Sequence, residues 1–378
     1  MTGQGTSALD RYEPSRRVIV FQPALPSYRI NLFERLAQRF GDRFSVCYAE
    51  SNLGVLTASP PAADWAHQLP PIYRLAVGLE WQPGVLATPV RRGDVVVVSG
   101  APRNLSNMLM LVWARLKGAR TIWWGQFWSA TSRRRNLPLR MLLMRLADAV
   151  ILYTDKEVEA YRAGPGRSDR RPVTALNNGI NVDPILALRR PFKPAERDKA
   201  ILFIGRLTSK AGLSLVLRAL SDSRLADITL HVIGDGDDLS ALKSLAAQVG
   251  VSERVVWHGG ITSESSIAAI ANSCRLFVYP GSVGLSLIHA MAYGLPAIVH
   301  DDPRRHMPEI AAFEDGRTGV AFTANDVGSL ASAIDQIIIS NELLLTASAA
   351  ASVATETTFN TSFMTERFVS IIDKVSKY

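Results

Sequence analysis

Only two cysteines, Cys47 and Cys274, occur in 378 residues. That excludes a disulfide framework and the paired spacings of a structural zinc site, and it fits a reducing compartment. No run of about 18–20 uninterrupted apolar residues is present, so a spanning helix is not expected. The opening MTGQGTSALDRYEPSRR lacks the apolar segment of a signal peptide and reads as a polar tail over residues 1–16. The expectation is a cytoplasmic chain that is neither exported nor membrane-spanning.

Charge is not scarce but lopsided. Of the net +8, much comes from Ala101 to Val150, where nine Arg or Lys face one acid, Asp148. Such clustering points to an anionic partner. Within it, SRRRNLPLRMLLMRLADAV interleaves Arg133, Arg134, Arg135, Arg140 and Arg145 with Leu and Met, the pattern of a basic amphipathic helix on an anionic membrane surface. A solvated rim on an ordinary core helix explains the same pattern. Nucleic acid is disfavoured, because no binding motif or aromatic stacking surface accompanies the charge.

At 47% hydrophobic and 20% charged, the chain has enough apolar material for large cores, and its length suits two domains. Short Val- and Ile-rich runs such as RVIVFQP, DVVVVSG and AVILYT alternate with helix-length segments, the rhythm of buried parallel strands with crossovers. The rhythm restarts after a Pro- and charge-rich piece from Val182 to Lys199. The expected layout is a tail at 1–16, a Rossmann-like domain at 17–190, a second at 191–360, and a terminal helix at 361–378 packing back on the first domain. Ligands of such sheets sit at the C-terminal ends of the strands, so a cleft between the domains is the expected active site.

The second half carries, in order, NNGIN at 177–181, ILFIGRLTSKAGL at 201–213, HVIGDGDDLSAL at 231–242, RVVWHGGI at 254–261, YPGSVGLSLIHAMAYGLPAIV at 279–299 and MPEIAAFEDGRTGVAF at 307–322. This series resembles the GT-B glycosyltransferases of family 4, which move a sugar from a nucleotide donor to an acceptor. FQPALPSYRINLFERL at 21–36 and ARTIWWGQFW at 119–128 are similar, more loosely, to that family's acceptor side. The resemblance implies an α/β GT-B fold, two doubly wound Rossmann-like domains facing each other across a cleft. It also implies a nucleotide-diphosphate sugar as co-substrate, with no resident cofactor and no metal.

A leaving diphosphate needs fixed donors, and Arg206 stands past a strand end with a fork suited to phosphate. Lys210 follows; the family has lysine directly before the glycine, where this chain has Ala211. Gly234, Asp235 and Gly236 form a tight turn after a strand, with Gly205 beside it in the GRL motif, and by resemblance Gly259 and Ile261 border the base. The helix start at Val283, Gly284, Leu285 and Ser286 offers backbone N–H groups to the distal phosphate, and Gly281 and Ser282 precede it in the same donor-side turn. In the family a glutamate in that turn contacts the sugar and another, eight residues on, holds the ribose. Here Gly281 and His289 occupy those slots. His289 is the candidate for the ribose, against the plainer reading of a capped helix histidine. Where the family often has a sugar-contacting histidine, Gln126 stands.

Gln126, Arg206 and Lys210 are the candidate catalytic residues, and Tyr28 and Arg29 the candidate acceptor contacts. Trp123, Trp124 and Trp128 either stack on sugar or lipid or fill a strand; His306 and Glu309 are the weaker substitutes for the missing carboxylate. Two functions follow. One is a retaining glycosyltransferase acting on a lipid-linked or polysaccharide-precursor acceptor at the inner face of the membrane. The other is an inactive GT-B protein serving as a nucleotide-binding or scaffold subunit.

Overall fold

The computed structural model describes residues 16–49, 63–127 and 137–377. The tail up to residue 15, Trp128 and the arginines at 133–135 lie outside the described residues. In chain order the first part runs β1 (Val18–Gln22), α1 (Ser27–Phe40), β2 (Phe44–Ala49), β3 (Ala66–Leu69), β4 (Tyr73–Arg74), β5 (Glu80–Trp81), β6 (Val95–Ser99), α2 (Leu105–Leu116), β7 (Arg120–Trp124), α3 (Leu137–Met144), β8 (Ala149–Leu152), α4 (Asp155–Ala163), β9 (Val173–Ala175) and α5 (Asp183–Leu188). The second runs β10 (Ala200–Ile204), α6 (Leu213–Ala219), β11 (Thr229–Ile233), α7 (Leu239–Gln248), β12 (Val255–Gly259), α8 (Glu264–Ala271), β13 (Leu276–Tyr279), α9 (Leu285–Ala292), β14 (Ala297–His300), β15 (Gly319–Phe322), α10 (Val327–Ile338), α11 (Asn341–Thr357) and α12 (Thr361–Ser376).

Two large sheets result, in the orders β3-β2-β1-β6-β7-β8-β9 and β12-β11-β10-β13-β14-β15, and β4 and β5 form a separate antiparallel pair. The register is parallel wherever the large sheets' pairs are resolved, as in Val18↔Phe44 and Ala200↔Thr229. Residues of β1, β6 and β10 are almost wholly buried. Burial on both faces explains why these strands read as continuous Val and Ile runs rather than alternating ones. In the second sheet the order reverses between β10 and β13. The crevice beyond the C-terminal ends of those two strands is therefore where a ligand is held in this kind of sheet.

By compactness the chain divides into two units. One holds the described residues of Met1–Gly125, Leu139–Val150 and Ile372–Tyr378; the other holds those of Gln126–Pro138 and Ile151–Ile371. Among the described residues no single helix is long and apolar enough to cross a membrane. The NNGIN motif is a structural joint in the second unit. Asn177 and Asn178 take positive φ, Asn177 Oδ1 accepts from the Asp155 amide at 2.8 Å, Asn178 Nδ2 donates to Glu309, and Gly179 N–H donates to Met364 Sδ at 3.1 Å. Arg367 of α12 pairs with Asp155 in the same unit.

Candidate functional site

The residues expected to meet the phosphates lie at the reversal between β10 and β13. Arg206 and Lys210, just beyond β10, are exposed, and neither forms an ion pair with a described residue. Two cations without an ion-pair partner among the described residues, beyond a parallel strand's C-terminal end, are the arrangement that attracts an anion.

Opposite them, the turn into α9 is more committed than its sequence suggests. Gly281 N–H donates to Ala211 O and Ser282 N–H to Lys210 O, both at 3.0 Å, and Val283 N–H donates to His306 Nδ1 at 3.3 Å. Of the four residues expected to offer amides, Val283 is thus spent on holding the loop, leaving Gly284, Leu285 and Ser286 at the head of the helix. The Gly281 N–H is therefore engaged within the protein.

Gly281 itself has a definite cause. A Cβ there would stand 1.9 Å from Lys210 O and 2.6 Å from Ala211 C. No side chain, and so no glutamate, fits while the turn at Ser209–Ala211 keeps its place. The shifted lysine and the missing glutamate, two departures that look unrelated in the sequence, meet at one backbone contact.

At the slot of the other missing carboxylate, a glutamate from a neighbouring helix lies against His289. His289 Nε2 lies 2.8 Å from Glu264 Oε1, and Tyr293 OH donates to the same oxygen at 2.5 Å. Burial alone would raise the Glu264 pKa, but the hydrogen bonds from His289 and Tyr293 hold it below its ordinary value. An ionised carboxylate therefore stands beside α9, and its Oε2 takes no hydrogen bond from a described residue. Sequence reasoning missed Glu264 because it opens α8, 25 residues before His289; the only signal was an acid at a helix start directly after the WHGG strand.

Gly234 and Gly236 serve packing. Added Cβ atoms would fall 1.9 Å from Gly205 O and 2.3 Å from Leu207 O respectively. The turn's amides are also engaged, Gly234 N–H on Gly259 O and Gly236 N–H on Asp235 Oδ1. Gly259 has φ of 72° and open space beyond its Cα, and Ile261 N–H donates back to Gly259 O.

A cavity of about 440 Å³ adjoins the head of α9, lined in part by Gln126, Lys156, Glu157, His300, Asp301 and Met307. Met307 N–H donates to Val283 O at 2.9 Å, which joins the cavity wall to the phosphate turn. The His300 and His306 rings stack at 3.7 Å. His306 accepts at Nδ1 from Val283, so its proton lies on Nε2, which donates to His300 O at 2.9 Å. His300 Nδ1 accepts from Asp302 N–H, placing its proton on Nε2 also. Burial depresses both imidazoles, His300 to about 4. Both rings are neutral at physiological pH. Glu309, a proposed stand-in for the lost glutamate, is buried against Asn178 near Gly284.

In the first unit Tyr28 is exposed, but Arg29 is only 7% exposed and its guanidinium lies 4.8 Å from the Trp124 ring centroid. Arg29 as a free phosphate contact is thus corrected to a buried residue stacked on an aromatic face. Trp123 and Trp124 are buried in β7, which decides between their two readings in favour of the strand.

Comparison with known proteins matches this geometry to a class. Residues 185–352, less than half of the chain, match the family described as Glycosyl transferases group 1. A glycosyltransferase from Rickettsia africae superposes with a TM-score of 0.70 over 96% of this chain and 99% of its own, at 15% identity. HepE of Anabaena in complex with UDP superposes with a TM-score of 0.71 over 95% and 100%, also at 15% identity. The fold is GT-B.

Among curated proteins, the lipopolysaccharide 1,6-galactosyltransferase of Salmonella typhimurium is 29% identical over 35% of this chain and 38% of its own. The lipopolysaccharide core biosynthesis glycosyltransferase LpsE of Rhizobium meliloti is 25% identical over 56% and 60%. The matched region spans less than two thirds of the length of either relative.

Proposed function

We propose that the protein is a glycosyltransferase that moves a sugar from a nucleotide-diphosphate donor to a lipid-linked or polysaccharide-precursor acceptor, with retention, in cell-surface polysaccharide biosynthesis. The observation that carries the reading is the charge arrangement at the β10–β13 crevice. Arg206 and Lys210 stand beyond β10 without ion-pair partners among the described residues, the amides of Gly284 to Ser286 head α9, and the ionised Glu264 stands alongside. This set suits the three parts of a nucleoside diphosphate: two phosphates and a ribose diol. The names of the relatives in lipopolysaccharide assembly, and the UDP bound by the Anabaena neighbour, support the same reading.

In the proposed reaction the diphosphate lies between Arg206, Lys210 and the head of α9, which stabilise the charge that develops as the anomeric C–O bond breaks. The acceptor hydroxyl attacks from the face the diphosphate leaves. Its proton passes to a departing phosphate oxygen, the new C–O bond forms, and the nucleoside diphosphate is released. That route asks no strong base of the protein, consistent with Gln126 where an imidazole is usual. The sugar occupies the cavity lined by Gln126 and His300, whose volume is within the range of small-molecule sites. The base borders Gly259 and Ile261, and Tyr28 meets the acceptor. No resident cofactor or metal takes part. The protein works at the cytoplasmic face of the cell membrane.

Calorimetry with a panel of nucleoside diphosphates, followed by transfer assays with the matching sugar nucleotides and polyprenyl-diphosphate acceptors, tests the proposal. A folded protein that binds none of them is not this enzyme. One that binds a nucleotide but transfers no sugar is the scaffold instead.

A further inference from the structure

The first unit carries an assembly that the donor site does not use, at the other ends of its strands. Before β1, β6, β7 and β8 begins a cleft of about 540 Å³, lined by Arg16, Arg92, Arg115, Arg120, Lys377 and Asp148. Arg16 donates to Ser376 O at 2.6 Å, and Arg115 donates to Leu146 O at 2.9 Å and stands 3.6 Å from Asp148. Arg92 and Arg120 form no ion pair with a described residue. Asp148 is in turn bound by the amide and hydroxyl of Thr121. A helix C-terminus accounts for about half a unit of negative charge. Five cations exceed that and one aspartate together, so the cleft is short of anions.

Beside the cleft, α2 is apolar on the wrong side. Met108, Met110, Leu111 and Ala114 face the core, as a surface helix requires. Yet Leu109, Val112, Trp113 and Leu116 are exposed, Leu116 at 76%, and their i, i+3, i+4, i+7 spacing gathers them in one stripe. Leu139 and Leu142 of α3 are exposed too. The Arg115 bond to Leu146 O ties the end of α2 to the turn after α3. Lys117 lies 4.5 Å over the Trp113 ring, a cation at the edge of the stripe.

We propose that this face docks on an anionic lipid bilayer, the α2 stripe entering the headgroup boundary and the arginine cleft holding a lipid phosphate. Charge complementarity selects the occupant. A second copy of the chain would set one arginine rim against another, whereas an anionic leaflet offers apolar depth and negative charge together. The proposal deepens the reading of a membrane-bound acceptor, on which it rests for its purpose. It moves the contact from the 132–150 stretch to α2 and the strand-end cleft.

The test is flotation of the full chain with vesicles of phosphatidylcholine alone and of phosphatidylcholine with phosphatidylglycerol. Binding is expected only to the second, weakening with salt. It should fall about tenfold or more in the charge-reversed pair Arg92→Glu with Arg120→Glu, and comparably in Trp113→Ser with Leu116→Ser. Nucleotide binding stays unchanged in both, which shows that they fold and separates this proposal from the donor-site reading. Equal binding to both vesicles, no loss in either variant, or a cleft that takes inorganic pyrophosphate while the chain ignores vesicles overturns the proposal. So does sedimentation showing a dimer that Leu116→Ser dissolves.

Discussion

His289 Nε2 and Glu264 Oε1 lie 2.8 Å apart, with Tyr293 OH on the same oxygen at 2.5 Å. The relationship gives α9 a carboxylate that its own sequence lacks. In the proposed site Glu264 Oε2 accepts from a ribose hydroxyl while His289 fixes the other oxygen. Glu264→Gln keeps the shape and removes the charge. A charge-assisted bond contributes about 1.5–3 kcal/mol, so affinity for the preferred nucleoside diphosphate should fall roughly tenfold to a hundredfold. The wild type should also lose affinity for the 2′-deoxy or 3′-deoxy nucleotide, and the variant should not discriminate. Calorimetry reads both; equal discrimination in the two proteins removes Glu264 from the ribose.

At Gly281 the obvious repair should fail. Restoring the family residue by Gly281→Glu places a Cβ 1.9 Å from Lys210 O, and the turn is pinned by two hydrogen bonds. Gly281→Ala isolates the steric part and should cost about 2–3 kcal/mol, a fall in Tm of several degrees. Gly281→Glu should cost no less and lower nucleotide affinity, since the turn that positions Lys210 must move. A glutamate variant with wild-type Tm and higher transfer would contradict the steric account.

The α/β class, the parallel strands and the order of the donor motifs were legible because burial on both faces leaves continuous apolar runs and strand-end loops stay short. Arg206 and the helix at 285 could be placed for the same reason, each following a strand directly. What was not legible depends on contacts between distant segments. Nothing local says that Ala211 O and Lys210 O consume the amides of Gly281 and Ser282, or that Glu264 reaches His289. Arg29 looked like a free cation because sequence shows charge and not the Trp124 face against it. Trp128 and Arg133 to Arg135 lie outside the described residues, and the structure leaves them as the sequence presented them.

Arg206 and Lys210 should separate in effect. Arg206 can bind phosphate through two parallel N–H bonds, while Lys210 is a point charge on a turn whose backbone is already committed. Arg206→Ala should weaken nucleoside diphosphate binding about tenfold to a hundredfold, and Lys210→Ala less than tenfold. Arg206→Lys should recover only part of the loss. Both sites are exposed, so the losses should shrink as salt rises, which titrations at low and high ionic strength will show. An Arg206→Ala protein with unchanged affinity would take this arginine out of the donor site.

Acid should strain the site through the stacked histidines. Burial, with the neighbouring His306 and Arg305 adding to it, lowers the His300 pKa to about 4, against an ordinary value near 6.5. The folded protein therefore binds fewer protons than the unfolded chain between those limits. Stability rises with pH through this window and is lost as pH falls from 6.5 toward 4. Between pH 7 and pH 5 the loss attributable to His300 should be roughly 1–2 kcal/mol, allowing for partial solvation. His306 acts in the same direction, and its protonation also costs the Val283 N–H its acceptor, because a proton then sits on Nδ1. Nucleotide affinity should accordingly fall along with stability on acidification. His300→Asn keeps an acceptor for the Asp302 amide but does not titrate, so its Tm should vary less between pH 5 and pH 7 than that of the wild type. If the two proteins lose Tm in parallel, the acid sensitivity arises elsewhere, and His306, whose lowered pKa works in the same direction and over the same window, is the next group to change.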